Sequence, residues 1–241
     1  MEGIGERLII HYVPFTDLSI SGGLNILTVL NTLFVMALLL AFLWWAVRRF
    51  AEVPGRAQSL VELYLGAFDS LVSSTLELET QEKNRHYLPL IATLFLFICL
   101  SNAIVLLPVP HIEEPTADLN VTLGLGCISV GYSLYCAVKA RGPLGYLEEL
   151  CGPLWHDFKL SALFFMPLKV IEEAARLVSI SFRLFGNIVG ASTIIVVAST
   201  LTYYVGVPLV LYAFLLVFEA VVQAFVFSIL TLMYINSAIK H

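Results

Sequence analysis

Five separate stretches of this sequence, residues 24–47, 86–108, 119–138, 160–204 and 207–239, stay largely apolar for twenty residues or more. A helix rises about 1.5 Å per residue, so about 20 apolar residues cross the roughly 30 Å hydrocarbon core of a bilayer. The solvent for such a chain is lipid, and the expected fold class is all-α: a polytopic membrane protein with five to six helices. Composition agrees, because 59% of the 241 residues are hydrophobic, 13% are charged and the mean hydropathy is +0.89, whereas soluble domains carry about 25% charged residues. Several spans plus connections use up residues 1–241, so one membrane domain is expected and no separate soluble one. The net charge of -5, with 13 scattered basic residues, argues against a nucleic-acid partner. Cys99, Cys127, Cys136 and Cys151 show no C-x-x-C spacing and read as small core residues. The first residues lack a basic segment running into an apolar one, so no cleaved signal peptide is expected.

Charge at the ends of the runs orients them. Residues 1–23 form an outer N-terminal segment, and the 24–47 span ends at Arg48 and Arg49, with Trp44 and Trp45 at interface depth and Arg56 just beyond. The positive-inside rule makes that end cytoplasmic. Residues 58–78 repeat apolar positions at helical spacing among Glu62, Asp69 and several serines, which suits a helix lying on the membrane surface or entering it obliquely. The 86–108 span follows Lys83 and Arg85 and climbs outward to the acidic HIEEP, and the 119–138 span returns to Lys139 and Arg141. The last two runs, 160–204 and 207–239, are too long for ordinary spans. They are expected to form a long, tilted hairpin whose C-terminus is cytoplasmic.

The longest run contains Lys169, Glu172, Glu173, Arg176 and Arg183. Three of these cations recur every seven residues and share one stripe of a helix. Glu172 and Glu173 lie three or four residues from Lys169 and Arg176, so these four can neutralise one another as a structural charge cluster near the interface; a functional role is the alternative. Arg183 has no acid within reach on its own helix. An arginine at membrane depth costs about 2.5 to 3.5 kcal/mol on insertion scales and faces a bundle interior, a wet cavity or a counter-charge. Either a functional role or a structural pair with Glu219 would satisfy it. Asn187 lies one turn after Arg183 and Gln223 one turn after Glu219, so the two long helices each present polar groups that could line a hydrated path; interhelical hydrogen bonding is the plainer alternative. On the outer side His111, Glu113 and Glu114 precede PTADLNVT and Asp118 lies within it, either as a cation-gathering channel mouth or as a solvated acidic loop, with Asp118 closest to membrane depth.

Taken in order, VPGRAQSLVEL, LPLIATLFLFICLSNAIVLLP, PTADLNVTL, IEEAARLVSISFRLFGN and VVQAFVFSILTLMYI resemble subunit a of the F-type ATP synthases, over about Pro54 to the C-terminus. The resemblance implies a non-catalytic stator subunit, without cofactor or metal, in a bacterial inner membrane. Its last two helices would lie against a rotating ring of c subunits, with b subunits of the peripheral stalk and, indirectly, the F1 sector as further partners. Arg183 falls on the family's essential arginine, Asn187 and Gln223 on positions lining its polar access routes, and Asp118 on the acidic residue of the outer loop. This chain departs from the family pattern at Ser192 and Leu216, where many relatives carry titratable groups, and at Leu177, where many carry proline. Those departures bear on the transported ion, H+ or Na+, more than on the family. A self-contained secondary transporter is the rival reading, yet the inverted repeat of broken helices it would need is not apparent. A membrane enzyme is a third, but H-E-x-x-H and G-x-S-x-G are both missing from the sequence.

Overall fold

The computed structural model describes residues 9–12, 19–48, 55–76, 86–106, 114–151, 159–201 and 206–240. Within them lie six α-helices: α1 (Ile26–Arg48), α2 (Arg56–Leu76), α3 (Leu88–Ala103), α4 (Leu119–Cys151), α5 (Lys159–Leu201) and α6 (Val207–Lys240). Ahead of α1, a short antiparallel hairpin pairs β1 (Ile9–Tyr12) with β2 (Ser19–Asn25), Ile10 standing opposite Leu24. The first helix therefore begins just after the point where the sequence turns apolar.

Four segments, Thr28–Arg48, Leu119–Pro143, Met166–Leu201 and Val217–Ile239, are long and apolar enough to cross a membrane. The protein is an integral, multi-pass, all-α membrane protein. Helix α3 is shorter than the expected 86–108 span: it stops after 16 residues at Ala103 and tightens into a 3-10 turn at Ile104–Leu106. Pro108 just ahead disfavours helical geometry in the residue before it.

Helices α3 to α6 form the bundle. Leu94 and Ile98 of α3, Leu125 of α4, Ile180, Leu184 and Ile188 of α5, and Ala224 and Phe227 of α6 make one buried cluster. On α5 the inward residues are four apart, so Phe182, Arg183 and Gly186 are left on the exposed side. Helix α2 seals the flank through Phe68, Val72 and Leu76, again four apart, which meet Ile91, Leu232 and Ile235. Its other face, with Ser59, Leu63 and Ser70, is exposed.

In lipid, packing and interhelical hydrogen bonds do what the hydrophobic effect does in water. Ser129 and Thr231 share a hydrogen bond of 2.8 Å, and Ser133 Oγ donates to the Tyr234 carbonyl at 3.1 Å, tying α4 to α6. Helix α4 breaks at Gly142, whose φ of 78° lies where side-chain-bearing residues are strained. Helix α5 runs for 43 residues and α6 for 34, joined through Gly206 at φ 61°. At about 1.5 Å per residue these are roughly 65 and 50 Å long, well beyond the hydrocarbon thickness, so the hairpin must tilt or project from the membrane.

Helices α4 and α5 approach closely at Gly126, where any Cβ would strike the buried Ser181 Oγ. Gly126→Ala is expected to cost about 1 to 3 kcal/mol by overpacking. Gly126→Ala combined with Ser181→Ala should recover most of that, because the hydroxyl is the obstacle. Unfolding of the single and double variants in detergent or bilayer checks this; strict additivity would contradict it.

Candidate functional site

Two polar constellations occupy the α5–α6 hairpin at different depths. The one toward the start of α5 is a self-neutralised cluster. Lys169 Nζ lies 3.5 Å from Glu172 Oε2, and Arg176 donates to Glu172 Oε1 at 2.6 Å and to Glu173 Oε1 at 3.2 Å. The Arg176 guanidinium also sits 5.5 Å from the centre of the Tyr234 ring. Ser133, Arg141, Tyr146, Lys169, Glu173 and Arg176 line a polar cleft here, between α4, α5 and the end of α6. Glu173 Oε2 is buried in it without a hydrogen-bond partner.

The second constellation lies two turns further along α5. Arg183 is exposed, and among the described residues it has no hydrogen-bond or ion-pair partner. A structural pair between Arg183 and Glu219 is not formed. One turn on, Asn187 Nδ2 donates to Gln223 Oε1 at 2.7 Å, bridging the two long helices. Gln223 is buried, with 4% of its surface exposed. One turn before it, Glu219 is half-buried, and its Oε1 is wholly buried without a partner. Phe182, Val189 and Ile194 of α5 and Phe218, Val221, Val222 and Phe225 of α6 are exposed around these groups. Gly186 and Gly190 on the same stretch of α5 have open space where a Cβ would go, so packing within this chain does not require glycine there.

The outer loop turns inward. Pro115–Ala117 forms a 3-10 turn whose Pro115 and Thr116 are buried against α1, α3, α4 and α5. Thr116 donates to Asn102 Oδ1 of α3 at 2.5 Å, both residues being buried, while Asn102 Nδ2 and Ser101 Oγ are buried without partners. Asp118 ends the turn: its Oδ1 accepts from the Asn120 backbone N–H at 2.9 Å and from Asn120 Nδ2 at 3.0 Å, fixing the start of α4. Glu114, by contrast, is half-buried, and burial, reinforced by the charge of Glu219, pushes its carboxyl up to about 7. It is therefore protonated below that pH and ionised above it. His111 and Glu113 lie outside the described residues. The buried hydroxyls of α3, α4 and α6 and the Asn102 amide are sites that the sequence marks only by a small polar residue recurring in otherwise apolar runs.

The class of protein is thus a multi-pass helical membrane protein whose two longest helices carry an arginine that no described residue pairs, beside the polar groups of Asn187, Glu219 and the buried Gln223. The family model of the ATP synthase A chain matches residues 29–236. ATP synthase subunit a of Campylobacter jejuni subsp. doylei is 38% identical over 193 residues, 80% of this chain and 81% of that protein. ATP synthase subunit a 1 of Syntrophotalea carbinolica is 36% identical over 86% of this chain and 82% of its own length. Subunit a of Desulfosudis oleivorans is 34% identical over 88% of each. The chain belongs to the ATP synthase subunit a family, the membrane-embedded F0 sector of that complex.

The Asn187–Gln223 bond is expected to couple the two helices modestly, at about 0.6 kcal/mol and no more than about 1.7. A double-mutant cycle of Asn187→Ala and Gln223→Ala on unfolding in a bilayer measures it. A coupling several times larger would mean that this pair is chiefly a structural tie.

Proposed function

We propose that this chain conducts ions, H+ or Na+, through two half-channels that meet a rotating ring of c subunits, and so couples ion flow to ATP synthesis. Ions arrive from the outer side by way of Glu219, with Asp118 as the sequence's first candidate for the outer acid. They neutralise a carboxylate on the ring, ride the rotor, and leave toward the cytoplasm, for which the cleft around Glu172, Glu173 and Arg176 is the candidate outlet. The b subunits would hold the chain still against that motion.

The observation that carries this reading is Arg183: a permanent cation on an exposed, apolar face, unpaired by any described residue of its own chain. A guanidinium does not deprotonate at working pH, and at membrane depth it requires a counter-charge. A carboxylate carried past on a neighbouring helix supplies one, in its ionised form, and the arginine in turn bars a bare cation from crossing between the two paths. The open space at Gly186 and Gly190 supports close approach of that neighbouring helix. A membrane potential of about 100 mV supplies only about 2.3 kcal/mol per charge, so several ions must be summed for each ATP. Rotation performs that sum. The cytoplasmic outlet and the outer N-terminus follow from the positive-inside rule.

Arg183→Ala is expected to abolish ATP synthesis and ATP-driven pumping while the complex still assembles, and to open a passive ion leak. Arg183→Lys should largely fail too, because an ammonium lacks the planar fork and can lose its proton when desolvated. Proton or sodium flux through reconstituted vesicles reads both. If Arg183→Gln combined with Glu219→Gln made ATP at the native rate, the gating role would be refuted and a structural role for both charges would stand.

A further inference from the structure

We propose that Glu114, rather than Asp118, is the outer partner of Glu219: a proton taken up from outside rests on the Glu114 carboxyl and passes from there to the buried Oε1 of Glu219. This assignment rests on the ion path proposed above and names the group that feeds it. Three observations carry it. Asp118 is committed locally, since one of its oxygens accepts both the backbone and the side-chain N–H of Asn120 at the start of α4. Glu114 stands immediately before Pro115 and Thr116, the two residues that carry the outer loop into the bundle, and is itself half-buried. Glu219, the sole acid of α6, keeps a wholly buried oxygen to which no described residue donates.

The two carboxyls are near enough for their charges to repel, and burial adds to that effect in holding Glu114 near neutrality. No cation among the described residues offsets them. Helix α3 carries no charged residue from Leu88 to Ala103, α4 has none from Leu119 to Val138, and α6 has only Glu219 before Lys240. Arg183 of α5 is exposed and pairs with neither, and His111 and Glu113 lie outside the described residues. A group that gains and loses a proton near neutral pH is suited to pass one on. In the transfer, the O–H bond on Glu114 breaks and one forms on the Glu219 carboxylate. Glu114 is left as a carboxylate, which outer water reprotonates, and no oxidation or reduction is involved.

The test uses the assembled complex in vesicles, with synthesis driven by a fixed total ion-motive force while the pH on the outer side is varied from acid to alkaline. The native complex should lose rate as the outer pH rises through about 7. Glu114→Gln should lower the rate per assembled complex by about a hundredfold or more, the range typical of lost acid–base groups, and should flatten that fall. Glu114→Asp should restore part of both. Asp118→Asn should reduce the yield of complex while leaving the pH profile of what assembles in place. The assignment is overturned if Glu114→Gln changes only the yield, if Asp118→Asn moves the profile and Glu114→Gln does not, or if the rate follows outer Na+ at fixed pH. Should Arg183→Ala still abolish coupling in the same assay, the half-channel reading would survive the loss of Glu114.

Discussion

An arginine left without a counter-charge by every described residue of its own chain, on a face made of apolar residues and glycine, fixes most of what this molecule can be. Water would solvate that guanidinium at little cost. At membrane depth the cost is several kcal/mol unless an anion or a wet cavity meets it. Among the described residues, Glu172 and Glu173 are used by Arg176, and Glu219 does not pair with Arg183. The ring carboxylate proposed above would supply the missing partner from another subunit.

The rest of the bundle can be read as the support for that face. Ile180, Leu184 and Ile188 anchor the inward side of α5, and the resulting rotation of the helix leaves Arg183 outward while Asn187 still reaches Gln223. Hydroxyl pairs such as Ser129 with Thr231 hold α4 and α6 in register where lipid gives no hydrophobic drive for helices to associate. The outer loop, folded inward through Thr116 and Asn102, packs against α1, α3, α4 and α5. The two charged regions of α5 differ in kind: the Lys169–Arg176 cluster balances itself, and Arg183 does not.

Much of this was legible in the sequence, for physical reasons. Hydropathy over about 20 residues reports solvent, so the all-α membrane class and the long hairpin followed from it. Helical spacing reports neighbours, so the pairing of Arg176 with Glu172 and Glu173 could be read from i,i+3 and i,i+4 positions. The solitude of Arg183 was readable as a lack of nearby acids. What could not be read depends on contacts between elements far apart in the chain. The inward turn of the loop at Pro115 and Thr116, the hydrogen bond from Thr116 to Asn102, and the close approach of Gly126 to Ser181 have no periodic signature. Asp118 was ambiguous in another way: an aspartate just ahead of a helix is a capping signal as much as an acid at a channel mouth. The early end of α3 reflects a 3-10 turn that apolar composition does not reveal.

The most direct measurement is a high-resolution structure of this chain in its assembled complex, read for what stands against Arg183. The account predicts an acidic side chain of a neighbouring membrane subunit with an oxygen within about 4 Å of the guanidinium, the range of an ion pair, met through the face that holds Gly186 and Gly190. An Arg183 that instead turns inward to pair with Glu219, or that faces only lipid with the acidic groups of other subunits far away, would contradict it.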